Sequence, residues 1–230
     1  MSAPVQRDHG GVIAGTARLA IPGGFADTPP RPKQRSGPTL PFPRQLTAIL
    51  FLSVTLFVAA CATQRPEDLP RPTEADIAAL ADEIHALDPG IDAGEAARAA
   101  AIAYEYPLRL AVEYQVEDPP IIHNIKVNQG LKPRGLCYQW ADDLQARLAQ
   151  ERFETLELQR AIANSQSAIR IEHSTVVVTA PGDSMYEGIV LDPWRNGGQL
   201  FWGAVTEDDA YPWLPRQDVF ARKRALLAAR

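Results

Sequence analysis

Cys137, His173 and Asp192 are the residues whose types and order equip this 230-residue chain for covalent chemistry. They stand in Gly-Leu-Cys-Tyr-Gln-Trp (135–140), Glu-His-Ser-Thr-Val-Val-Val (172–178) and Ile-Val-Leu-Asp-Pro-Trp (189–194). A thiol attacks as its thiolate, a histidine takes up and returns the proton, and a carboxylate fixes the tautomer of the histidine. Cysteine, then histidine, then aspartate therefore reads as nucleophile, base and orienting group. Each residue also has a plain structural reading. A lone cysteine is often a small buried apolar group, a strand histidine is usually structural, and Asp192-Pro193 can simply open a turn. A zinc site from the same three residues is the other chemistry to weigh. No paired Cys-x-x-Cys or His-Glu-x-x-His spacing supports it, and no metal or other cofactor is expected.

Such a trio needs a helix that starts at the cysteine and strands that carry its partners. A helix from Gly135 or Leu136 to about Glu151 is expected, with Leu136, Trp140, Leu144 and Leu148 facing inward. Its first turn would expose Cys137 to the positive end of the helix dipole, which favours the thiolate. Strand-like runs follow at 155–162, 169–179, 188–191 and 199–205, separated by turn-prone stretches at 181–183 and 195–198. Ahead of the cysteine, a helix starting at Thr73 or Glu74 and stopped by Pro89-Gly90 is expected. A second covers roughly 93–116, with Pro107 kinking or splitting it. The polar stretch from His123 to Arg134 reads as a loop, and the tail from Arg216 as a short helix. Helices first and strands afterwards predict an α+β domain with an antiparallel sheet.

The other cysteine, Cys61, closes a different kind of segment. Fifteen uncharged residues, Leu46 to Ala60, follow Arg44. They are too short for a membrane span of about 20 apolar residues and suit a signal h-region. Val58-Ala59-Ala60-Cys61 resembles the lipobox of bacterial lipoproteins. That resemblance implies cleavage before Cys61, acylation of the cysteine and stable anchoring by several acyl chains. Ala62 after the cysteine implies the outer membrane, facing the periplasm. Residues 1–45 hold eight of the twenty prolines and read as a disordered or mis-started leader, with 61–73 as a lipidated tether and 74–230 as one domain. Residues 61–230 carry 17 Lys and Arg against 26 Asp and Glu, a net charge of −9. That balance disfavours nucleic acid as a partner. With Cys61 lipidated, Cys137 is a lone thiol in an oxidising compartment.

The order of cysteine at a helix start, histidine on one strand and aspartate on the next resembles the transglutaminase-like branch of the papain-fold cysteine peptidase superfamily. The resemblance covers roughly residues 130–205. It implies a cysteine-bearing helix packed on an antiparallel sheet, with Cys137 as nucleophile, His173 as general acid/base and Asp192 as its orienter. It also implies peptide or protein amides as substrates, cell-wall peptides among them, hydrolysed or passed to an amine. Since that superfamily includes inactive members, a binding or scaffolding lipoprotein is the alternative. For the oxyanion, the Cys137 N–H is one donor. Asn124, Asn128, Gln129 and the Tyr138 and Trp140 side chains are further candidates. Trp140 and Trp194 also read as cleft walls or substrate contacts. His85 reads as a packing residue, and His123 as a loop hydrogen-bonding group, a substrate contact or a rival base.

Overall fold

The computed structural model describes residues 65–229. The leader, the apolar segment 46–60 and Cys61 lie outside the described residues. Among the described residues no helix is long and apolar enough to cross a membrane.

Four helices precede the sheet and one follows it. α1 (Glu74–Ala86) starts with a reciprocal cap. The Thr73 hydroxyl accepts the Asp76 N–H at 3.1 Å and the Asp76 carboxylate accepts the Thr73 N–H at 2.8 Å. α2 (Ala93–Glu113) lays Ala96, Ala99, Ala100 and Ala103 against Leu80 and Ile84 of α1. Those small side chains let the two helices approach closely. α2 continues through the buried Pro107, so the proline does not split it.

α3 (Pro120–Asn128) occupies much of the stretch that reads as a loop. Proline at its first position is favourable, because that N–H has no helical partner in any case. Its polarity is inverted: His123 and Asn124 are buried while Ile121, Ile122 and Ile125 face outward. The usual inward apolar stripe is missing, so periodicity does not reveal the helix. α4 (Cys137–Ala149) presents Trp140, Leu144 and Leu148 inward as its spacing predicts, with Ala141 beside them, while Leu136 stands at the cap and is half-buried.

The chain then builds the antiparallel strands β1 (Glu157–Ala163), β2 (His173–Thr179), β3 (Ile189–Asn196), β4 (Gln199–Ala204) and the short β5 (Leu214–Pro215), before α5 (Arg216–Ala228). The sheet order is β4-β3-β2-β1-β5. The fold class is thus α+β with a five-stranded antiparallel sheet. β2 is central and all seven of its residues are buried. Val176 and Val178, with Ile189 and Leu191 of β3, join the core formed with α1, α2 and α4. Val177 and Val190, on the other face, pack with Met185, Val205 and Trp213.

β2 begins at His173, four residues later than the apolar run suggests. Ile169 is 95% exposed, and the Ser167 hydroxyl accepts the N–H groups of Ile169 and Arg170 in a local turn. His85 is exposed on α1, not packed.

Glu95 ties the first helices to the segment leading into the sheet. Its buried carboxylate accepts the Glu154 N–H at 2.8 Å, the Thr155 N–H at 2.8 Å and the Thr155 hydroxyl at 2.6 Å. Burial alone would raise its proton affinity, but these bonds and Arg98 outweigh it and hold the carboxyl below its ordinary value. Replacing Glu95 by Ala leaves three donors unsatisfied and is expected to cost about 1–3 kcal/mol. Urea unfolding measures this; an unchanged midpoint would mean that water satisfies those donors equally well.

Candidate active site

The turn into α4 is held by four separate groups. Gly135 has φ +128°, and a Cβ there would lie 2.4 Å from His123 Nε2, so only glycine fits without displacing the ring. His123 Nε2 lies 2.8 Å from the Arg134 carbonyl oxygen and supports the same turn from α3. The Trp140 indole N–H donates to the Gly135 carbonyl at 3.0 Å. The Gln139 carbonyl oxygen accepts the N–H groups of Gly135 (2.8 Å) and Leu136 (3.0 Å). Arg134 adds a two-pronged ion pair to Asp143 on α4, which also accepts the Tyr114 hydroxyl. With Gly135 and Leu136 satisfied, the N–H groups of Cys137 and Tyr138 donate to no acceptor among the described residues. They are free donors at the helix start.

The thiol meets the start of β2. Cys137 is only 9% exposed, and its sulfur lies 3.5 Å from the Glu172 carbonyl oxygen. His173, the next residue, is 1% exposed. Its Nε2 donates to Asp192 Oδ2 at 2.7 Å. Its Nδ1 is buried and makes no hydrogen bond. With Nε2 committed to the carboxylate, Nδ1 is the nitrogen left for the thiol. The imidazole is packed among aromatic rings: Trp194 at 4.5 Å, Tyr211 at 4.6 Å and Trp213 at 5.3 Å between centroids.

Asp192 is itself enclosed and well supplied with donors. Oδ1 accepts the Arg195 backbone N–H at 3.3 Å and Oδ2 accepts Arg195 Nε at 3.1 Å. On a regular strand, residues three apart face opposite sides. The pairing of β3 with β4 shifts register between Asp192 and Asn196, and this irregularity turns Arg195 back to Asp192. The other end of the guanidinium grips Asp208 at 3.2 and 2.6 Å, and the Trp213 indole N–H donates to the same carboxylate at 2.9 Å. Arg195 also lies over Phe201 at 3.6 Å and Tyr211 at 4.6 Å. Despite burial, its hydrogen bond to Asp208 and the nearby Asp192 raise the proton affinity of the guanidinium. Burial would raise the Asp208 carboxyl as well, but Arg195 and Trp213 hold it below the ordinary range. Burial and the Asp192 charge push the Tyr211 phenol upward.

Cys137, His173 and Asp192, singled out from the sequence, are therefore neighbours contributed by α4, β2 and β3. The other candidates are distributed differently. The Trp140 N–H is spent on Gly135, and the Trp194 N–H donates to Asn124 at 3.1 Å, so neither indole is a free donor. Asn128 and Gln129 are exposed at the C-terminal end of α3. Tyr138 is 49% exposed beside the thiol. His123 reaches a loop carbonyl, as one sequence reading has it, but from a helix.

Sequence reasoning passed over Arg195, Asp208, Tyr211 and Gln139. Gln139 had a signal, since glutamine at the third position of a helix commonly caps its start. Arg195 sits three residues beyond Asp192. For Asp208 and Tyr211, in a polar stretch between strands, no signal exists. Comparison with protein-family models, with curated proteins and with solved structures gives no match.

The His173 ring feels opposing influences. Burial disfavours the imidazolium, whereas the Asp192 charge and hydrogen bond, helped by Cys137, favour it more strongly and lift its pKa from 6.5 to about 9. A proton held more tightly folded than unfolded stabilises the fold. That contribution is complete below pH 6.5, where the unfolded imidazole is protonated too, and disappears as pH rises from 6.5 through about 9. Urea midpoints across this range are expected to fall for the wild type and to stay flatter for His173→Ala. Parallel curves would mean that folding does not raise the His173 pKa.

Proposed function

We propose that this protein is a thiol-dependent amide or isopeptide hydrolase or acyl transferase, using Cys137, His173 and Asp192 as its triad. The observation that carries the reading is the buried 2.7 Å pairing of His173 Nε2 with Asp192, which leaves Nδ1 unbonded beside a cysteine at the first turn of a helix.

In this reading Nδ1 holds the proton as an imidazolium that Asp192 stabilises, and Cys137 faces it as the thiolate of an ion pair. The sulfur attacks the amide carbon, and the C=O electrons move onto oxygen. The Cys137 backbone N–H meets the developing charge, with the Tyr138 N–H as the neighbouring donor. Collapse of the tetrahedral intermediate breaks the C–N bond, and the leaving amine takes the proton from His173. The resulting thioester is opened by water or by an acceptor amine, which gives a proton to His173 as it adds. Expulsion of the sulfur restores the ion pair. The resemblance to transglutaminase-like peptidases supports the same assignment.

The lipobox-like segment ending at Cys61 supports anchoring to the outer membrane, with the domain facing the periplasm. There, peptides of the cell wall or of envelope proteins are the accessible amides. The net charge of −9 from residue 61 onward supports these partners over nucleic acid.

One observation favours a second reading, a non-catalytic binding or scaffolding lipoprotein. The resting thiol is nearly buried, packs with Trp140 and Trp194, and lies 3.5 Å from the Glu172 carbonyl oxygen.

Iodoacetamide labelling against pH separates the two. Mass spectrometry of the Cys137 peptide reads its alkylation apart from that of Cys61. The enzyme reading expects a thiolate reactive well below the free-cysteine pKa of about 8.5, and expects His173→Ala to return the titration toward that value. It also expects Cys137→Ala to retain the melting transition while losing all amidase and transferase turnover. A slow thiol that titrates ordinarily and is indifferent to His173 would establish the binding module instead.

A further inference from the structure

We propose that the Arg195–Asp208 ion pair is a positioning element that sets the pH range over which Cys137 is nucleophilic, by fixing the orientation and the ionised state of Asp192. The inference rests on the reading of Cys137, His173 and Asp192 as a thiol triad, and it assigns a role to two residues outside that triad.

Arg195 is the only charged donor, among the described residues, that shares Asp192 with His173. Nε and the backbone N–H of Arg195 reach the two different oxygens of Asp192, so the carboxylate cannot rotate away from the imidazole without breaking both bonds. Asp208 takes the two terminal guanidinium nitrogens, and is held in turn by the Trp213 and Ala210 N–H groups. The guanidinium is thereby fixed at both ends and covered by Phe201 and Tyr211. A structural salt bridge would need only one of these carboxylates. Here a single cation is divided between the orienting carboxylate and a second, more distant one.

The remaining charged groups facing the pair are few. Cys137 lies on the thiol side of His173. Tyr211 packs against the imidazole at a tilt, and Arg170 lies over the Tyr211 ring. Glu172, ahead of His173, is paired with Lys223. None of these bonds to Asp192. The Arg195 cation attracts the negative charge of Asp192 and of a Cys137 thiolate, and Asp208 offsets that cation. Removing the positive charge must therefore move the acid limb of thiol reactivity up in pH. Removing the Asp208 charge must move it down.

The test uses the full-length chain and measures the pH dependence of iodoacetamide labelling at the Cys137 peptide. Wild type, His173→Ala, Arg195→Gln and Asp208→Asn are compared, each checked for its melting transition. Arg195→Gln is expected to raise the acid limb by about one pH unit, making labelling about tenfold slower at a pH on that limb. Asp208→Asn is expected to lower it. Arg195→Lys, which retains the charge, should keep the limb close to wild type. Opposite displacements cannot come from general loosening, which would move both variants the same way. Limbs that stay in place in folded variants, or that move together, overturn the proposal while a wild type sensitive to His173 leaves the triad standing. If Arg195→Gln does not fold, the direction of the Asp208→Asn displacement alone decides. A wild-type thiol indifferent to His173 removes the triad, and this proposal with it.

Discussion

The constraint on which this structure turns is a carboxylate buried inside a sheet. Asp192 is 1% exposed, and an unpaired charge at such depth would be strongly destabilising or would neutralise itself. Three donors prevent that: the His173 ring, the Arg195 guanidinium and the Arg195 backbone. Each requires something further. The imidazole must be walled off by Trp194, Tyr211 and Trp213, the strand must lose its regular register after Asp192, and Arg195 must find Asp208 at its far end. Much of the aromatic content between residues 194 and 213 is organised around this one charge.

On the other side of the imidazole the demands are conformational. A helix must begin where β2 begins, so its opening turn is fastened from several directions at once. Gly135 lets the backbone pass the His123 ring, while Gln139, Trp140 and Arg134 use up the hydrogen-bonding groups around it. The N–H groups of Cys137 and Tyr138 are left over because their neighbours are so thoroughly committed. Rigidity at the turn and unspent donors at the thiol are thus one arrangement seen twice.

The α+β class, the cysteine-bearing helix and the helices around 74–86 and 93–113 were legible because their apolar spacing matches the faces they bury. Three features were not. α3 hides its polar His123 and Asn124 and exposes its isoleucines, inverting the pattern that reveals a helix. Ile169 and Ile171 extend an apparent strand into a segment where they face water. The shift of register after Asp192 brings Arg195 to the same side as Asp192, which strict alternation would forbid. In the first and the third, long-range partners, Trp194 for Asn124 and Asp208 for Arg195, decide what local sequence does not. His173 and Asp192 could be picked out because residue type marks them; Asp208 and Tyr211 carry no such mark, and only the fold brings them to the site.

The aromatic enclosure of His173 has a consequence for the fate of a single proton. Asp192 occupies one ring nitrogen, and Trp194, Tyr211 and Trp213 crowd the ring. Exchange with bulk water is therefore confined to the edge that faces the sulfur. Under the proposed thiol chemistry, an acyl group filling that edge would sequester the imidazolium hydron until the amine departs. In isotopic language the proposed chemistry would run with internal return: a deuteron held on the imidazole would be carried to the departing nitrogen instead of being washed out into solvent.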